Sequence, residues 1–186
     1  MNAYELKKIN SNEINENELN NILNNYLVKE KEILINLSKE EIINYISSHL
    51  NFFDYRLNYE NEKFDVEVGD ICFIDYGINY TRECGYFHFG IIIEIKHSKC
   101  LIIPMTSNPK TFEKATFWKQ ENLLAIPIIR NVDMNIERNA TLFLNDARFI
   151  NSSRIINKIA NINKNSSEFI HIKKTFYDYL QKEDIK

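Results

Sequence analysis

The chain predicts an α+β protein, with an N-terminal helical extension, a small antiparallel β-barrel and a C-terminal helix. Three observations carry this. Apolar residues recur at helical spacing as far as Phe53; the period then shortens to strand-like runs between Val68 and Leu144; helical spacing returns beyond Ser167. With 186 residues and 44% hydrophobic content the chain fills one good core plus an extension, whereas two full domains would be cramped.

The elements follow in order. From Asn10 to Asn25 the chain is rich in Asn and Glu, yet Ile14, Leu19, Ile22, Leu23, Tyr26 and Leu27 keep helical spacing toward Ile33 and Leu34. Ser38-Lys39-Glu40-Glu41 has the form of a capping box, in which the Ser oxygen and the Glu carboxylate satisfy free amide donors at a helix start. A second helix begins there, with Ile42, Ile43, Ile46, Leu50 and Phe53 as its apolar face. Asn58 to Phe64 reads as a polar connection, which places the extension at residues 1–65 and the barrel with its helix at 66–186. Val68–Tyr76, Gly90–Ile95, Leu101–Met105, Leu123–Ile129 and Thr141–Leu144 read as five short strands, separated by turns such as Ser107-Asn108-Pro109. The unbroken run Ile91-Ile92-Ile93 predicts a strand covered on both faces. Ser166-Ser167 caps a last helix carrying Phe169, Ile172, Phe176 and Leu180.

Charge and composition narrow the function. The net charge of −3 argues against a protein that grips long nucleic acid through many phosphates. Residues 1–65 hold 7 basic against 12 acidic side chains, and the remainder is net +2, so a short anionic ligand fits the second part better. Cys72, Cys84 and Cys100 match no zinc pattern and are odd in number, which predicts reduced thiols, no metal and a cytoplasmic protein. No apolar run spans a bilayer, so no membrane partner is expected. Only four glycines are present, no phosphate-cradling loop is visible, and no cofactor is implied.

Four motifs in order resemble the PemK/MazF/Kid toxins. They are Val68-Gly69-Asp70-Ile71; Glu83-Cys84-Gly85 leading through His88 into an apolar strand; Ile103-Pro104-Met105-Thr106-Ser107; and Ala147-Arg148-Phe149-Ile150-Asn151-Ser152-Ser153-Arg154-Ile155. The resemblance covers about residues 66–180. It implies an SH3-like (CcdB/PemK-like) barrel, a homodimer, a protein antitoxin, and metal-independent cleavage of single-stranded RNA by attack of a 2′-hydroxyl on its own phosphodiester. The chain departs from the family where the loop Arg is replaced by His88 and the following Pro by Phe89. Phe143-Leu144-Asn145 also stands where Kid-type members carry an Arg-x-Asp pair.

The residues admit that chemistry. Transesterification needs a proton acceptor, a proton donor and donors to the phosphoryl oxygens. Imidazole suits either proton role, so His88 is the expected catalytic group, with Thr106 beside it. Arg82 supplies fixed charge and Glu83 orients His88 or carries a second proton. Arg148, Ser107 and Asn108 contact the phosphate, and Tyr86 and Phe87 stack on bases. Each residue also has a plain structural role open to it: Thr106 and Ser107 as turn openers, Glu83 and Arg82 as a surface pair, the aromatics as core or dimer contact. His49, His97 and His171 read as structural. The second functional reading is a non-catalytic RNA- or protein-binding module on the same barrel, in a toxin-antitoxin or phage-defence context.

Overall fold

The computed structural model describes residues 3–9, 13–57, 65–97, 99–130 and 137–182. The expected linker Asn58 to Phe64 and residues 10–12 of the expected first helix lie outside them. The chain divides into two compact units, Met1–Ile43 and Asn44–Lys186. Helix α3 spans the division.

The first unit contains α1 (Ala3–Lys7), α2 (Glu16–Leu34) and the start of α3 (Lys39–Leu57). Asn15 caps α2 by accepting from the Glu18 amide at 3.0 Å while Glu18 accepts from the Asn15 amide. The predicted box at Ser38 forms in the same way, with both hydrogen bonds to Glu41 present. Leu19, Leu23, Tyr26 and Leu27 stay about half exposed along α2, so their stripe is not buried.

The second unit is an antiparallel sheet of seven strands: β1 (Asp70–Asp75), β2 (Phe87–Lys96), β3 (Lys99–Thr106), β4 (Leu123–Arg130), β5 (Glu137–Phe143), β6 (Arg148–Asn151) and β7 (Ile155–Asn161). They order as β4-β5-β3-β2-β1-β7, with β6 on β3. Helix α4 (Pro109–Thr116) follows β3, and α5 (Ser167–Gln181) closes the chain. Ser166 caps α5 through the Phe169 amide, as expected. The fold is therefore α+β.

The sheet carries a core on each face. Ile71, Ile91, Ile93 and Ile103 meet Phe169, Ile172 and Phe176 of α5 on one side; Cys72, Ile74, Ile92, Cys100, Ile102 and Ile150 fill the other. Ile91, Ile92 and Ile93 are each fully buried, so the strand is covered on both faces as predicted. The sheet is curled. β6 borders β3 and β7 borders β1, yet only Ser152–Arg154, a 3-10 turn, separates them. Four strand spacings would cover about 19 Å in a flat sheet, whereas the chain from Asn151 to Ile155 reaches about 14 Å at most.

The structure departs from expectation in three places. Among the described residues no pairing joins β4 to β7, so the sheet is open rather than a closed barrel, and it has seven strands rather than the five or six expected. β6 and β7 bury one and two residues respectively, which leaves no alternation to read in the sequence. Helix α4 arises because Asn108, which reads as a turn residue, accepts from the Lys110 amide and precedes Pro109 at the first helical position. The third departure is the orientation of α3: Ile43, Ile46, Leu50 and Phe53 are exposed, and buried Ser48 lies on the face that packs inward.

The first motif, Val68-Gly69-Asp70-Ile71, is a structural anchor. Gly69 has φ +97°, and a Cβ there would collide with the Ile162 carbonyl oxygen, which accepts no alternative position because the Ile162 amide donates to the Gly69 carbonyl. The fully buried Asp70 accepts from Asn161 at 2.7 Å, pairs with Lys158 at 2.9 Å and accepts from the Glu67 amide, tying β7 to β1. Gly69→Ala is expected to destabilise the protein by roughly 2–3 kcal/mol, read as a lower urea midpoint at unchanged slope. Burial pushes the Cys72 thiol up to about 12 and Cys84 to about 11, and Cys100 is raised by the same cause. All three thiols are expected to resist Ellman's reagent at about pH 8 in the folded protein and to react together on unfolding.

Candidate functional site

The β1–β2 register sets Ile74 across from His88. The β2–β3 register pairs Phe89 with Met105 and Gly90 with Pro104, and one further step along both strands sets His88 across from Thr106. Thr106 in turn pairs with Thr141, which pairs with Ala125. Cross-strand partners share a face with Cβ atoms about 5 Å apart. Ile74, His88, Thr106 and Thr141 therefore form one row across four strands. Within that row His88 is exposed, Thr106 half-buried, and Thr141 fully buried with no hydrogen-bond partner for its hydroxyl. Phe87 and Phe89 point to the opposite face, where both pack against Phe73 at 5.9 and 5.2 Å.

The loop before β2 is built from its own groups. The Asn79 side chain donates to the carbonyls of Tyr80 and Glu83, and a Cβ on Gly85 would run into it. Arg82, with φ +75°, lies exposed at the turn. The Glu83 carboxylate accepts from the Tyr80 amide, and no hydrogen bond among the described residues joins it to His88. Tyr86, at φ +52°, extends the β1–β2 ladder through 2.7 Å hydrogen bonds with Tyr76 and Gly77. Arg148 donates to the Cys84 carbonyl and stacks over the Tyr76 ring at 5.0 Å. Its charge is thus spent on bracing this loop. Burial pushes the Asp146 carboxyl above its usual range, against the pull of Arg148 and the Cys84 backbone.

Beyond Thr106 the chain turns into α4. The Thr106 hydroxyl accepts from the Asn108 amide, and Asn108 caps the helix, so both do the turn-forming work open to them. Ser107 is exposed and lines a groove of about 400 Å³ with Pro109, Phe112, Glu113, Arg138 and Asn139. Arg138 is an exposed cation with no ion pair among the described residues.

A second cavity, of about 420 Å³, lies within the second unit between α3, the turn after β1 and the β6–β7 corner. Asp75 forms its floor, 2% exposed, accepting from Ser48 at 2.9 Å, Asn51 at 3.0 Å and the Gly77 amide at 2.9 Å. Arg154 donates to the Asp75 carbonyl at 3.1 Å. His49, read from the sequence as structural, stacks on Tyr45 and faces this cavity.

The β2–β3 register, continued one step past Phe89–Met105, aligns His88 with Thr106, which Ser107 follows in the chain. Glu83 and Arg148 are engaged elsewhere. Arg138, Thr141 and Asp75 escaped sequence reasoning, since none stands in a motif, although Asn151, Ser153 and Arg154 of the fourth motif line the Asp75 cavity. One signal was present: Ser48 and Asn51 stand three apart on one helix face. Among the described residues no group of three His, Cys, Asp or Glu is placed to hold a metal ion, and no helix is long and apolar enough to cross a membrane. No protein-family model matches the chain, and no curated protein matches it. Asp75→Ala strands three donors and is expected to cost roughly 2–4 kcal/mol. A double-mutant cycle with Ser48→Ala, followed by chemical denaturation, is expected to show coupling of about 1 kcal/mol.

Proposed function

We propose that the protein is a toxin-like endoribonuclease of the PemK/MazF kind, metal-independent, cleaving single-stranded RNA by 2′-hydroxyl attack. One feature supports the reading: the β2–β3 register, continued one step past its last pair, aligns an exposed imidazole with a strand-end hydroxyl, on the face shared with Thr141. His88 takes the 2′-hydroxyl proton as that oxygen bonds to phosphorus; the 5′-oxygen leaves, takes a proton from solvent, and a cyclic phosphate remains. Arg138, in the groove that Ser107 opens, takes the phosphate-binding role from which Arg148 is withdrawn. In this reading the curled sheet is an SH3-like barrel of the CcdB/PemK type, supported by the short 3-10 corner that links its two edges. A cytoplasmic homodimer restrained by an antitoxin belongs to the same proposal.

The alternative is a non-catalytic RNA- or protein-binding module. It draws support from the Thr106 hydroxyl being used as a turn acceptor and from Glu83 turning back on its own loop. Mixed-sequence single-stranded RNA incubated in chelator separates the two. Site-selective cuts with cyclic-phosphate ends are expected, reduced about 10²–10⁴-fold by His88→Ala and at least tenfold by Arg138→Ala. Folded protein that leaves the RNA intact would establish the module instead.

A further inference from the structure

The cavity floored by Asp75 has two chemically distinct walls. On the α3 side, the His49 Nδ1 donates to the Tyr45 carbonyl at 3.0 Å, which leaves Nε2 for a ligand. Asn51 spends one of its two amide N–H groups on Asp75, which leaves the other N–H as a donor and its carbonyl oxygen as an acceptor. On the corner side, Asn151 uses its oxygen on the Ser153 amide, which leaves its NH₂ as a donor. The Ser153 hydroxyl and the remaining guanidinium N–H groups of Arg154 complete a donor wall. Phe52 and Phe53 supply exposed aromatic surface at the rim. The Asp75 carboxylate keeps its charge, since its three donors are neutral, and the Arg154 guanidinium is the cation that lines the cavity beside it.

We infer that this cavity binds a nucleotide unit. A nucleobase is a flat ring whose edge carries both N–H donors and carbonyl or ring-nitrogen acceptors, which suits a wall that offers both with aromatic rings beside it. The attached phosphate matches the fork of Arg154 and the neutral donors next to it. A purely apolar ligand would leave these polar groups unpaired. The site is separate from the His88 row, since neither His88 nor Thr106 lines it. The same chemistry is offered by a free mononucleotide and by one residue of an RNA strand.

The test is calorimetric titration of the full chain with each of the four nucleoside 5′-monophosphates. Saturable binding of at least one is expected, weakened at least tenfold by Phe53→Ala and by Ser153→Ala, and unchanged by His88→Ala. Phe53 is half exposed and Ser153 lies in a surface turn, so both variants are expected to fold, as a melting curve verifies. Inorganic phosphate and the unphosphorylated nucleosides are expected to bind more weakly than the monophosphate. Displacement of the bound monophosphate by short single-stranded RNA assigns the site to RNA, and its retention assigns it to free nucleotide. The inference is overturned if none of the four binds at about 10 mM, or if both folded cavity variants bind as the wild type does. Loss of RNA cleavage alone leaves it standing, because the readout is binding away from His88.

Discussion

The carboxylate of Asp75 holds together parts of the chain that hydrophobic burial does not. It sits at the end of β1, almost fully buried, and serves a helix through Ser48 and Asn51, a turn through Gly77, and, by its backbone carbonyl, the β6–β7 corner through Arg154. A buried carboxylate is tolerable only when its lone pairs are used, and here three of about four are. The arrangement therefore specifies one docking geometry for the Asn44–Leu57 part of α3. Apolar contact would permit the helix to slide; a set of directional hydrogen bonds does not. That explains why a helix with a clear apolar stripe packs by its polar side.

The curl of the sheet follows from a second constraint, the shortness of the link between β6 and β7. The chain borders β3, crosses in three residues, and borders β1, so the face carrying Ile74, Ile92, Ile102 and Ile150 must be concave. Small side chains and glycine are needed where the concave face is tightest. Gly90 is one such place, because the Tyr76 hydroxyl and Ile102 occupy the space a Cβ would take. The row containing His88 lies toward the β3 C-terminal end of this same face, where burial gives way to solvent.

Much of the framework was legible in the residues, and the reasons are local. Capping at Ser38 and Ser166 depends on neighbours three positions away, and both caps form as read. The Ile91–Ile93 run announces burial on both faces because nothing polar interrupts it. β6 and β7 were not legible, since each strand leaves most of its residues exposed and takes its pairing from the strands it borders. Arg138 was invisible because its position beside Ser107 depends on the β3–β5 pairing and the turn into α4. The orientation of α3 was misread for a related reason: its partner is a single carboxylate 24 to 27 residues away in sequence, and periodicity carries no information about such a contact.

Helix α4 ends on Phe117 and Trp118, which are 82% and 80% exposed. Trp118 is the one tryptophan of the chain. Its indole is already bathed in water in the folded state, so its emission is that of a solvated ring whether the core is intact or not. Intrinsic fluorescence is consequently a poor gauge of unfolding in this protein. It is instead a spectroscopic sentinel for the outer end of α4, silent toward the interior and responsive to whatever settles on that surface.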